Sequence, residues 1–213
     1  MRWLTMLALA TSLLGAPAMA IEEPEFEVLA STDDYDIRRY SPYIVAEVDV
    51  PGDQRTAGGR AFRVLAGYIF GDNVPEQKMA MTAPVESAPR GVKMNMTAPV
   101  EAVATDDAGY TYAFVMERKY SMDSLPKPNN PSIRLVQRPA RTMAVRRFSG
   151  RANAVSFEQR RKELMAALER DAIVTLGPAA LAQYNAPYTP GILRRNEVLV
   201  EVAWPEQAAA STD

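Results

Sequence analysis

The chain has 213 residues, 24 Lys and Arg against 26 Asp and Glu for a net charge of −2, and a composition that is 47% hydrophobic and 23% charged. That length allows one large domain or two small fused units with a buried core, and the charge leaves no footprint of a general nucleic-acid binder. Cysteine and histidine are both absent, which excludes disulfides, thiolate catalysis, Cys-ligated zinc, Fe–S clusters, classical hydrolase triads and His-built metal sites.

Residues 1–20 carry Arg2, an apolar run over 4–14, and the ending Gly15-Ala16-Pro17-Ala18-Met19-Ala20. The small residues Ala18 and Ala20 predict a cleavable secretory leader with the mature chain starting near Ile21, and the apolar run is too short for a stable transmembrane helix. Without cysteine there is no lipid attachment at the new N-terminus, and without a twin arginine the general secretory route is favoured. The expectation is a periplasmic or secreted protein with no stable membrane anchor after leader removal. Loss of Arg2 takes the net charge of −2 to near −3.

Residues 26–29 form a short strand candidate, and 35–40 and 43–50 alternate apolar and polar positions around Ser41-Pro42, which predicts two more strands. A helix is expected over 53–70 with Asp53 as N-cap. Phe62, Leu65, Ala66 and Ile69 fall at i, i+3, i+4 and i+7, and Ala61, Val64 and Tyr68 widen the apolar stripe. The Gly58-Gly59 pair weakens the first turns, so the firm helix is expected from near Arg60.

The most informative stretch follows. Lys-Met-Ala-Met-Thr-Ala-Pro-Val-Glu at 78–86 returns fifteen positions later at 93–101, with only Ala80 against Asn95 changed. Met79, Met81, Ala83 and Val85 fall on one side of an extended chain, and Met94, Met96, Ala98 and Val100 repeat the pattern. Two neighbouring antiparallel strands are expected, linked by a reversal at 87–91, with Pro84 and Pro99 at strand ends. Methionines in this arrangement either fill irregular core gaps or line a cavity for a flat apolar ligand.

Beyond a turn at 105–109, residues 110–116 predict an aromatic strand, and 119–131, with Pro126, Pro128 and Pro131, a linker. Strands at 133–137 and 141–148 form an expected second pair, in which Val145-Arg146-Arg147-Phe148-Ser149 echoes Ile37-Arg38-Arg39-Tyr40-Ser41. A second helix is expected over 152–172, with Phe157, Leu164, Met165 and Leu168 on one face, then strands at 181–185 and 197–204 and a disordered tail at 205–213. The order predicts an α+β fold built from a duplicated strand-helix-strand unit. Its halves, 26–118 and 132–204, would share one core about a pseudo-twofold axis in a single domain over 21–204.

Four segments in order resemble the SOUL family of haem-binding proteins. They are the doubled Met-Thr-Ala-Pro-Val, Tyr35 to Pro42, Tyr68-Ile69-Phe70-Gly71-Asp72-Asn73, and Arg194-Arg195-Asn196-Glu197-Val198. The resemblance spans nearly all of 26–204 and implies a distorted antiparallel barrel flanked by two helices. It further implies a shallow apolar cleft that takes haem or another porphyrin as a non-covalent cofactor. The first helix would supply one wall through Phe62, Leu65, Ala66 and Ile69, with Arg60 or Arg63 meeting the propionates. Tyr184, Pro187 and Tyr188, in a loop held by prolines, would cover the ligand. Some members carry a histidine implicated in iron ligation where this chain has Arg39, a residue that can pair with a propionate but has no lone pair for iron. With no histidine, iron would be left unligated or would use Tyr or Met. No catalytic role is expected: a carboxylate such as Glu197 facing a tyrosine could move a proton, but no convergent pair stands out, and Arg195 with Glu197 predicts a structural ion pair. The alternatives are a binder of another amphipathic small molecule and an envelope protein-interaction module.

Overall fold

The computed structural model describes residues 21–75, 91–105, 109–186 and 188–205. In chain order the elements are β1 (Phe26–Ser31), β2 (Asp36–Tyr40), β3 (Tyr43–Pro51), α1 (Gln54–Ile69), β4 (Asn73–Val74), β5 (Val100–Thr105) and β6 (Gly109–Val115). They continue with β7 (Lys127–Pro128), β8 (Arg134–Arg138), β9 (Arg141–Ser149), α2 (Ala154–Arg170), β10 (Ala180–Gln183), a 3₁₀ turn (Gly191–Leu193) and β11 (Arg195–Glu201). Nine strands form one antiparallel sheet in the order β1-β2-β9-β11-β10-β5-β6-β3-β8, and β4 pairs with β7 apart from it. The sheet curls as a half-barrel open between β1 and β8, with two helices, so the fold is α+β and the barrel is not closed.

Moving outward from the β10–β5 seam, one meets β11, β9 and β2 on one side and β6, β3 and β8 on the other. β2 precedes β3 in the chain yet pairs with β9, and β8 precedes β9 yet pairs with β3. The second strand pair expected at 133–137 and 141–148 is therefore not a pair. Alternation settles which face of a strand is buried but not which neighbour it joins, and the link Pro139-Ala140 carries the chain from one edge region to the other half.

Both helices pack on one face of the sheet, α1 against β3 and β6 and α2 against β9 and β11. Leu65, Tyr68 and Ile69 of α1 and Leu164, Ala167 and Leu168 of α2 join Ile37, Val48, Phe114, Leu181, Val198 and Val200 in the main core. Each fully buried Leu or Ile contributes roughly 1.5–3 kcal/mol relative to exposure, so this face dominates the cohesion of the fold. The other face carries a smaller cluster, Tyr40, Met143, Val145, Tyr184 and Leu199, set among the buried charges Arg38, Glu47, Glu101 and Glu197.

Three expectations change. α1 begins at Gln54 and runs through Gly58-Gly59, because the Asp53 side chain accepts from the N–H groups of Arg55 and Thr56, each at 3.1 Å. Residues 119–131 are a packed strap, not a linker: Leu125 is buried, Tyr68 Oη donates to Pro126 O at 2.8 Å, and β7 joins β4. The second methionine segment is not a ladder strand until Val100. Its groups bond elsewhere: Met94 N donates to Ile69 O at 2.8 Å, Asn95 N to Glu117 Oε1 at 2.9 Å, Thr97 Oγ1 to Val115 O, and Ala98 N to Glu22 O at 2.9 Å. Met94 is buried in the main core and Met96 packs against it. The first copy, at 78–86, the leader at 1–20 and the tail from 206 lie outside the described residues.

Candidate ligand-binding cleft

Two helix starts border one opening. Asp53 caps α1, and at α2 Asn153 Oδ1 accepts from Ser156 N at 2.9 Å while Ser156 Oγ accepts from Asn153 N at 3.0 Å, a reciprocal capping box. Between them lies a cleft of about 750 Å³. Its walls are Arg55, Gly58, Gly59, Phe62 and Arg63 from α1, Val100, Tyr112, Gln183 and Asn196 from the sheet, 152–155 at the start of α2, and Asn185 and Arg194 from the last loop.

The glycine pair sets the shape of one wall. A Cβ on Gly58 would lie 3.1 Å from Tyr112 Oη, so the bare helix surface comes close to β6. Beside it Phe62 lines the opening, is 38% exposed and packs with Phe114 in an edge-type contact, with ring centroids 5.6 Å apart.

The electrostatics of the cleft favour anions. Arg55, Arg63 and Arg194 face one acid, Asp53, and the two helix N-termini add partial positive charge. The backbone N–H of Thr56, its hydroxyl, and Arg55 hold the Asp53 carboxyl below its ordinary range, so it is ionised and committed to the cap. Tyr112 is neutral: burial pushes its phenol up to about 12, and its Oη donates to Gln54 O at 2.8 Å. None of the described lining residues is a methionine.

The site residues expected from the sequence are spread over six places. Phe62 and Arg63 line the cleft. Leu65, Ala66 and Ile69 turn inward, with exposures of 0%, 8% and 2%, because the 3.6-residue stripe that marks them is the core-facing side of α1. Arg60 is exposed on α1 outside the lining. Arg39 stands in a second cleft of about 680 Å³ with Glu23, Glu25, Glu27, Phe26 and Arg118, 4.0 Å from Glu27. Tyr188 is 90% exposed on the last loop, and Pro187 lies outside the described residues.

Tyr184 is buried on the far face of the sheet. Its Oη donates to Glu197 Oε2 at 2.6 Å, and the Arg195 guanidinium lies 3.7 Å over its ring. Glu197, with no exposed surface, also pairs with Arg38 and Arg195 at 3.2 Å each. Burial first, then the Glu197 charge, push the Tyr184 phenol far above its ordinary value. The ion pair expected of Arg195 and Glu197 is thus part of a buried structural network.

Arg55, the Gly58-Gly59 pair, Asn153, Val155 and Arg194 also line the cleft and are not among the site residues expected from the sequence. The glycines and Asn153 carried a local signal, a bare helix surface and a cap, but their convergence is a property of the sheet order.

A family model described as SOUL heme-binding protein matches residues 21–201. Among solved structures, the chain is similar to the EcmrR C-terminal domain at 9% identity and TM-score 0.58, covering 80% of this chain and 99% of that one. A hydrolase from Listeria innocua is similar at 12% identity and TM-score 0.52, covering 82% and 94%. An uncharacterized conserved protein from Listeria innocua is similar at 12% identity and TM-score 0.53, covering 79% and 92%. At these identities the likeness is one of fold alone. No curated protein matches the sequence.

Proposed function

This chain belongs to the SOUL heme-binding protein family, and on that premise we propose that it binds haem or a related porphyrin, without covalent attachment, in the cleft beside α1. The observation that carries the reading is that Phe62 and Arg63 share the wall of an opening of about 750 Å³, within the roughly 300–1,000 Å³ typical of small-molecule sites. Phe62, Val100 and Val155 offer apolar contact to a macrocycle, and Arg55, Arg63 and Arg194 can meet its propionates. Burial of porphyrin faces supplies several kcal/mol at roughly 25 cal/mol per Å².

The lining fits the macrocycle better than the metal. The chain has no histidine, and the phenol of Tyr112 is neutral and donates to a carbonyl. Affinity in this reading rests on faces and propionates and depends little on iron. Titration with hemin is expected to give a saturable Soret shift, and iron-free protoporphyrin to bind within about tenfold, or about 1.4 kcal/mol. Flat titrations for both contradict the proposal.

The same reading makes the protein a carrier, buffer or sensor, not an enzyme. It is periplasmic or secreted after loss of residues 1–20, and forms one domain over 21–204. The strand order about the β10–β5 seam supports an origin of its halves in one repeated unit. The lack of an iron ligand among the described lining residues favours a second reading, another amphipathic small molecule as ligand, which a native mass spectrum of the purified protein would reveal as a carried mass other than a porphyrin.

A further inference from the structure

Among the described residues, the four most exposed large apolar side chains are Tyr188 at 90%, Ile192 at 84%, Val155 at 79% and Leu193 at 68%. They come from two separate elements, the last loop and the start of α2, that meet at the cleft mouth. Gly150 N donates to Gly191 O at 3.1 Å, which ties the loop to the segment that leads from β9 into α2, and Arg194 Nε donates to Thr189 O at 2.8 Å within the loop. Val155 and Arg194 are themselves part of the cleft wall. Large apolar side chains gathered at one rim mark an interaction surface, where scattered ones would not.

The charge around this lip runs against that of the whole chain. Acids outnumber bases overall, 26 to 24, yet the cleft wall holds Arg55, Arg63 and Arg194 against Asp53 alone. Arg151 lies beneath the loop, its Cγ 3.6 Å from where a Cβ on Gly191 would stand. Val155 lines the cleft, while Tyr188, Ile192 and Leu193 stand outside its lining at 90%, 84% and 68% exposure. Exposed aliphatic and tyrosine side chains in the same region as several arginines suit an interface whose apolar layer lies just below anionic phosphates.

We propose that this lip docks the protein on an anionic lipid bilayer. Tyr188, Ile192, Leu193 and Val155 enter the boundary between headgroups and acyl chains, and Arg63, Arg151 and Arg194 face headgroup phosphates. The cleft mouth then lies at the membrane surface. The inference does not depend on which ligand the cleft takes.

The test is flotation of the full mature protein, free of any porphyrin, with vesicles of phosphatidylcholine alone or with about one quarter phosphatidylglycerol. The anionic vesicles are expected to carry the protein and the neutral ones to carry about tenfold less. The pair Ile192→Asp with Leu193→Asp, and separately Val155→Asp on the other element, are each expected to lower binding about tenfold. Unchanged circular dichroism and urea midpoints would show that these exposed positions leave the fold intact. Failure of the unaltered protein to float, or flotation of all variants like the parent, overturns the proposal. So does a lipid-free dimer that the double variant dissociates, since the lip would then be an interface between copies. Because the vesicles hold no porphyrin, a negative result here leaves the cleft reading standing.

Discussion

A Cβ placed on Gly58 would lie 3.1 Å from Tyr112 Oη, so α1 and β6 approach at a point where a side chain fits only if the tyrosine gives way. The phenol is held there by its bond to Gln54 O at 2.8 Å, and Gly59, one position on, meets nothing nearer than Arg63 Nη1 at 3.9 Å. Replacing a helix-interior glycine by alanine is favourable by roughly 0.5–1 kcal/mol where space allows. Gly59→Ala is therefore expected to raise the unfolding free energy in urea by that amount, and Gly58→Ala to give no gain because the tyrosine must shift. Equal stabilisation by both would show that the contact is loose.

Glu197 joins Arg38, Arg195 and Tyr184 with no exposed surface. Removing one partner of a buried ion pair leaves uncompensated charge and costs about 3–5 kcal/mol. Glu197→Ala is expected to destabilise the protein by that much in urea unfolding. A loss below about 1 kcal/mol, the range of exposed pairs, would contradict the burial of this network.

Six of the nine tyrosines, Tyr35, Tyr40, Tyr43, Tyr68, Tyr112 and Tyr184, have phenols raised above the ordinary value, chiefly by burial. Tyr35, Tyr40 and Tyr112 are pushed up to about 12. An unfolded tyrosine ionises near pH ~10, so above that pH the unfolded chain gives up its protons first. The stability these groups supply is complete below ~10 and is lost as pH rises through the folded values. Phenolate absorbance from these six is expected to develop together with loss of far-ultraviolet dichroism. A smooth titration with the fold retained would contradict it.

Arg63 lines the cleft beside Phe62. Arg63→Glu is expected to weaken protoporphyrin binding about tenfold, or about 1.4 kcal/mol, and to leave binding of its dimethyl ester nearly unchanged, because the ester carries no propionate charge. An equal loss for both ligands would place the effect in the fold and not in the pairing of charge.

Local pattern made most elements legible. The alternation at 43–50 and the stripe with its Asp53 cap mark β3 and α1 within a residue or two, while the glycine pair, which points to a firm start near Arg60, does not delay the helix. What alternation cannot carry is partnership: β2 and β8 cross to the other half, and no residue in Asp36–Tyr40 or Arg134–Arg138 announces that. The same reason hid the cleft. Its walls come from two helix starts distant in the chain, and the periodic residues Leu65, Ala66 and Ile69 drew attention because they are regular, which is why they are core. Phe62 belongs to that stripe but sits where it meets the surface. Tyr184 carried no mark separating a loop tyrosine from one that reaches a buried carboxylate on the other face.

Hemin-induced broadening of backbone amide signals in the isotope-labelled protein measures most directly where a porphyrin lies. Broadening is expected to centre on Gly58, Gly59, Asn153 and Asn185, at the walls of the cleft beside α1. Broadening centred on Glu27, Arg39 and Ser41, around the other cleft, or saturating hemin with no localised broadening, would contradict it.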